Sequence, residues 1–156
     1  MREKYLVFGA PLIEQPEIDE VVDCLRSGWL GTGPKVSRFE AMFREYVGAK
    51  YAMAVNSCTA GLHLSMVTAG FGPGDEVITT PMTFCATVNS IIHTGATPVL
   101  VDCDRQTQLI DPQQIEDAIT PRTKAIVPVH LCGRPCDMDA IMRIAERHGL
   151  LVIEDA

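Results

Sequence analysis

Three short stretches carry side chains whose types and spacing could do chemistry. The first is "NSCTAGLHL", where Asn56, Ser57 and Thr59 stand just before a run with helical character. A helix start leaves its first amides without acceptors, so small polar residues there let an anion such as a phosphate approach. Ser and Thr are also the preferred residues for capping any helix, and on this stretch alone plain capping is the favoured reading. The second is "PMTFCAT", where Phe84 is either a plate for a flat ring or an ordinary core aromatic. The third is "LLVIEDA", an apolar run that ends on Glu154 and Asp155. A carboxylate there is solvated, caps a helix, or, if buried, needs a positive partner.

The elements that must position these residues follow from the rhythm of the chain. "PEIDEVVDCLRSG" puts Ile18, Val21, Val22 and Leu25 on one helical face between Pro16 and the stop signal Gly28. "KVSRFEAMFREYVG" repeats the device with Val36, Phe39, Phe43 and Val47 before Gly48. Between them runs "GWLGTGP", a Gly-rich loop with the only tryptophan. From Tyr51 onward short apolar runs alternate with helical ones. "YAMAV", "VITT", "TPVLVD", "KAIVPV" and "LLVIED" read as strands. The helices between them include "DPQQIEDAI", with Asp111 as N-cap and Pro112 at its first position, and "DMDAIMRIAERHG", capped by Asp137 or Asp139. Strands apolar throughout and separated by helices predict an α/β fold, three layers deep, with a mostly parallel sheet. Ligands of such sheets sit at the carboxyl ends of the strands. Those ends follow Val55, Thr80, Val101, Val129 and Ile153. A phosphate cradle, an aromatic plate and a carboxylate that can pair with a protonated pyridine nitrogen together describe a seat for pyridoxal 5'-phosphate.

Composition narrows the alternatives. The chain has 156 residues, enough for a real core, and 47% of them are apolar. With 13 basic and 20 acidic side chains the formal charge is −7, which argues against nucleic acid as a partner. No apolar run reaches the length of a membrane span, and the N-terminal apolar stretch is broken by Pro11 and Glu14 too early for a signal peptide. The six cysteines read as reduced thiols of a cytoplasmic protein.

Other chemistries fit less well. Gly28 to Lys35 gives G-x-x-x-x-G-P-K, but Pro34 intrudes, no Ser or Thr follows Lys35, and no strand precedes it, so a P-loop is rejected. Gly31-Thr32-Gly33 lacks the third glycine of a dinucleotide fingerprint. His130, Cys132 and Cys136 in "HLCGRPC" lack a second cysteine pair with zinc spacing, so no metal site is expected. Cys58 at a helix start could be a nucleophile, yet His63, His93, His130 and His148 fall in unrelated segments and offer it no relay.

Five stretches, "GWLGTGPKVSRFE", "AVNSCTAGLHLSM", "VITTPMTFCATVNSIIHTGATPVLVDCD", "IVPVHLCGRPCDMDAI" and "LLVIEDA", resemble in order the DegT/DnrJ/EryC1/StrS family of sugar aminotransferases. That family is a branch of the fold-type I pyridoxal phosphate enzymes. The resemblance implies that Cys58 and Thr59, with Ser57 beside them, bind the cofactor phosphate. It implies that Phe84 lies against the pyridine ring and that Asp155 pairs with its nitrogen. Trp29, Thr32 and Gly33 would touch substrate or a neighbouring subunit. The implied reaction moves an amino group from glutamate or glutamine to a nucleotide-linked keto-sugar, the cofactor alternating with pyridoxamine 5'-phosphate in a homodimer. A family variant with histidine in place of the Schiff-base lysine dehydrates the sugar instead, and a truncated homologue would serve as a non-catalytic binding or assembly module. None of Lys4, Lys35, Lys50 and Lys124 matches the lysine position, which the resemblance puts beyond Ala156. Residues 1–50 then form an N-terminal helical segment with an active-site loop, and 51–156 part of the cofactor domain, with the small C-terminal domain absent. Such a chain would not turn over alone.

Overall fold

A computed structural model of the protein describes residues 7 and 9–156, so Lys4 lies outside it. The chain divides into two compact units, Met1–Ala54 and Val55–Ala156.

The first unit holds two helices, α1 (Gln15–Ser27) and α2 (Pro34–Val47). Glu14 and Glu17 form a reciprocal capping box at the start of α1, and Pro16 sits in its first turn, where a missing N–H costs nothing. Both helices end on a glycine, Gly28 and Gly48, in the left-handed region that a Cβ would penalise. Neither helix has a buried residue, and Leu25, Phe39 and Phe43 are all at least half exposed. Lys35 bridges the helices through Glu20 and Asp23, and Arg38 joins it at Glu20.

The second unit is a four-stranded parallel sheet between helices. Its strands are β1 (Glu76–Thr79), β2 (Thr97–Leu100), β3 (Thr123–Val127) and β4 (Leu151–Val152), in the order β2-β1-β3-β4. The helices are α3 (Cys58–Thr68), α4 (Cys85–His93), α5 (Pro112–Asp117) and α6 (Met138–His148). Strand pleating sends neighbouring side chains to opposite faces. Val77, Ala125 and Val127 accordingly pack with Met66 of α3 and Ile91 of α4. Ile78 and Ile126 pack on the other side with Ile115 of α5 and Ile141 and Ile144 of α6. The expected three layers and parallel sheet are therefore present. Asp111 caps α5 and Asp137, rather than Asp139, caps α6.

Two strand expectations change. "YAMAV" is not a strand: Tyr51, Met53 and Val55 are exposed, and no ladder partner runs beside the segment among the described residues. An apolar alternation becomes a strand only when a neighbour takes its amides and carbonyls. "LLVIED" is a strand only over Leu151–Val152, continued by a single bridge from Asp155 to Val129.

Candidate functional site

The order β2-β1-β3-β4 reverses direction between β1 and β3, because the chain first steps outward to β2 and then returns across to β3 and β4. Such a switch point opens a crevice at the carboxyl ends of the strands. Asp155 reaches this place by backbone bonds on both sides. Its N–H donates to the Pro128 carbonyl at 3.0 Å, and its carbonyl accepts from the His130 N–H at 2.9 Å.

The pleat decides which carboxylate of the pair enters the crevice. Val152 packs with the α5/α6 core and Ile153 with the α3/α4 core. Alternation then carries Glu154 to the first side and Asp155 to the second. Glu154 Oε2 lies 2.8 Å from Nε2 of His130, whose Nδ1 accepts the Cys136 N–H at 3.1 Å. That bond fixes the tautomer with the proton on Nε2, donated to Glu154. Among the described residues no group of three or more such side chains could hold a metal, and Cys136 is a buried thiol donating to the Val129 carbonyl.

Asp155 meets the first turns of two helices. Thr87, the third residue of α4, places Oγ1 2.5 Å from Asp155 Oδ2, and Cys58, the first residue of α3, places Sγ 3.6 Å from Oδ1. Helix starts carry partial positive charge, so the place suits an anionic group. The effect on Cys58 is the reverse of what a helix start alone would bring. Its burial, then the Asp155 charge and the hydrogen bond, push the thiol above its ordinary value, which removes the nucleophilic-cysteine reading.

Ser57 caps α3, its hydroxyl oxygen accepting the Ala60 N–H at 3.1 Å. By helix geometry the Cys58 and Thr59 amides have no acceptor within the helix. Both residues are exposed, so an anion can reach them. Phe84 ends the alternatives left by composition: it is 76% exposed and is not core. It occupies the N-cap of α4 without a side-chain cap. Cys58 and Thr87 meet Asp155 directly, and Phe84 stands three residues before Thr87; an exposed ring, open amides and a hydrogen-bonded carboxylate are groups whose chemistry fits a phosphorylated pyridine. Thr87 is the residue that sequence reasoning missed. It is fully buried, and the only hint was its spacing from Thr83, whose hydroxyl lies 2.7 Å from its own.

Trp29, Thr32 and Gly33 belong to the first unit and come together there. The indole Nε1–H donates to the Thr32 carbonyl at 3.0 Å, and the ring lies against Gly33. With Asp23, Cys24 and Lys35, Trp29 and Gly33 border a cavity of about 580 Å³.

In the second unit Lys124 is the single lysine, and it stands near the amino end of β3, away from the crevice. No amine from residues 55–156 is therefore placed to condense with an aldehyde bound there.

Relatives place these features in one group of proteins. The chain is 59% identical over 155 residues to the spore coat polysaccharide biosynthesis protein SpsC of Bacillus subtilis (strain 168), covering 99% of this chain and 40% of SpsC. Among solved structures it matches DesV of S. venezuelae in complex with a ketimine intermediate, with a TM-score of 0.87 and 44% identity over 90% of this chain and 38% of DesV. It matches NtdA of Bacillus subtilis with bound cofactor PMP equally well, at a TM-score of 0.87 and 37% identity over 99% of this chain and 38% of that one. The chain thus spans about 40% of the length of these relatives. The sequence profile of the DegT/DnrJ/EryC1/StrS aminotransferase family matches residues 11–156, and the chain belongs to that family.

Proposed function

We propose that this chain is the cofactor-seating part of a pyridoxal-phosphate-dependent aminotransferase, one that passes an amino group from glutamate or glutamine to a nucleotide-linked keto-sugar. The observation that carries this reading is Asp155, held by the first turns of α3 and α4 at the carboxyl end of β4. The Cys58 and Thr59 amides, with the Thr59 hydroxyl and Ser57 alongside, would take the phosphate. Phe84 would cover the ring, and Asp155 would keep a proton on its nitrogen. When bound, the cofactor supplies an electron sink for the substrate carbon that loses its proton. The chain's own share is to seat that sink, to hold its nitrogen proton through Asp155 and to exclude water from one ring face with Phe84.

Residues 1–50 are read as the helical segment and loop that bring Trp29, Thr32 and Gly33 to substrate, and 51–156 as the cofactor-binding part. The exposed apolar faces of α1 and α2 favour a homodimeric assembly in which they are covered. A charge of −7 speaks against nucleic acid, and no helix among the described residues is long and apolar enough to cross a membrane. Reduced cysteines favour the cytoplasm, and no disulfide joins the described ones.

The test is a titration with pyridoxal phosphate followed by absorbance. Saturable binding that weakens in Asp155→Asn is expected, because the pyridinium loses its counter-charge. Equal binding by both proteins sinks the assignment of Asp155. With Lys124 away from the crevice, the chain alone should give no turnover with glutamate and a nucleotide-linked keto-sugar, and clear turnover overturns that claim.

A further inference from the structure

A hydroxyl chain leads from α4 into the crevice. Thr83 Oγ1 lies 2.7 Å from Thr87 Oγ1, and Thr87 Oγ1 lies 2.5 Å from Asp155 Oδ2. Thr87 Oγ1 also approaches the Phe84 carbonyl at 3.1 Å. A threonine has one proton to give. The carboxylate is the stronger acceptor, and the shorter contact lies there, so the proton goes to Asp155 and Thr83 donates to a lone pair of the Thr87 oxygen. Thr87 is fully buried, so no water competes for its hydroxyl. The two oxygens of Asp155 are therefore unequal. Oδ2 is committed to a short bond from a buried donor, whereas among the described residues Oδ1 has only a thiol, a weak donor, at 3.6 Å.

We propose that Thr87, oriented by Thr83, is a positioning residue that ties Asp155 Oδ2 and leaves Oδ1 as the oxygen that holds the cofactor's ring-nitrogen proton. The inference rests on the cofactor reading above. It adds a residue that fixes the anchor's orientation rather than touching the ring. An untied carboxylate rotates about its last bond and spends part of its time presenting neither oxygen to the crevice. The bond from Thr87 removes that freedom before any ligand arrives.

The experiment compares Thr87→Val, Thr87→Ser and Asp155→Asn with the unaltered protein. Valine keeps the volume and branching of the buried residue and removes the hydroxyl, and serine keeps the hydroxyl. Each protein is titrated with pyridoxal phosphate, and the bound cofactor's absorbance is then followed against pH to read the protonation of its ring nitrogen. Thr87→Val should weaken binding about tenfold, the equivalent of about 1.4 kcal/mol, and move the ring-nitrogen titration to lower pH. Thr87→Ser should restore both to within about twofold. If Thr87→Val leaves both unchanged while Asp155→Asn weakens binding, the positioning role is wrong and the cofactor reading stands. If Asp155→Asn also binds normally, the cofactor reading itself fails. Loss in Thr87→Val that serine does not restore marks a packing effect and likewise overturns the role. Circular dichroism melts of the cofactor-free proteins accompany the titrations. Should Thr87→Val not fold, Thr83→Val breaks the chain one bond earlier at a half-buried position, and a normal ring-nitrogen titration in that variant refutes the proposal.

Discussion

Asp155→Asn should make Cys58 more reactive, and by an amount the geometry sets. Cys58 Sγ lies 3.6 Å from Asp155 Oδ1, at the first residue of α3. Ionising the thiol there places two negative charges almost in contact. At this separation their repulsion is about 1 kcal/mol in the dielectric of water and about four times that at an effective value for a protein surface. Cys58 is exposed, so solvent screens the pair and the lower figure applies. Removing the charge while keeping the shape should then raise the thiolate fraction near neutral pH about fivefold. A less basic thiolate is also a poorer nucleophile, which takes back about half and leaves a net gain of roughly two- to threefold. The assay is timed alkylation with iodoacetamide, read peptide by peptide by mass spectrometry. Cys132, an exposed thiol in another loop, serves as the internal reference. An unchanged or slower Cys58 rate relative to Cys132 refutes the claim that Asp155 holds this thiol protonated. Burial is the larger cause of the raised value, so the variant thiol should remain slower than a fully exposed one.

Two further outcomes test the other unit and the acid limb of stability. A Cβ built on Gly33 would fall 2.0 Å from Trp29 Nε1, although the backbone there is extended and unstrained, so Gly33→Ala must displace the indole and break its bond to the Thr32 carbonyl. The emission of this single tryptophan should shift to the red with little change in thermal midpoint, and an unshifted spectrum contradicts the packing. Hydrogen bonds from Thr120 and Arg122 hold the Glu76 carboxyl below its ordinary value of 4.5. A carboxyl lowered on folding stabilises above its unfolded value, and that contribution is lost as pH falls through the lower folded one. Thermal midpoints of the unaltered protein should therefore drop on acidification below about pH 4.5, and the drop should be shallower in Glu76→Gln. Parallel curves would remove Glu76 from the account.

The sequence disclosed whatever depends on local period and punctuation. The βα alternation, the caps Asp111 and Asp137 and the glycine stops lie within a few residues of what they control. "YAMAV" failed because a strand is a relation between two segments, and alternation states only half of it. Composition alone favoured core for Phe84, since a lone aromatic beside a strand end is more often packed inside, and only the resemblance pointed outward, where the ring stands exposed. Thr87 was missed because its partner Asp155 is 68 residues away, and Cys58 and Asp155 are 97 residues apart. Such contacts exist only once the sheet order is known.

The acidic pair shows how little separates a site from an ordinary hydrogen bond. Glu154 and Asp155 are adjacent and similar, yet one binds His130 on the α6 side while the other faces α3 and α4. Their shared carboxylate chemistry does not by itself select the roles. The selection comes from Val152 and Ile153, whose packing into opposite cores fixes the pleat, and from the bridge between Val129 and Asp155, which fixes the register. A one-residue insertion after Val152 would bring Glu154 to the crevice, put Ile153 in the place beside His130 and push Asp155 one residue further along the chain. Glutamate is one methylene longer, so its carboxylate would not stand where that of Asp155 meets the buried Thr87 hydroxyl at 2.5 Å without a change of rotamer. The Thr87 contact thus falls to the shorter acid, and the packing of Val152 and Ile153 upstream is what delivers it.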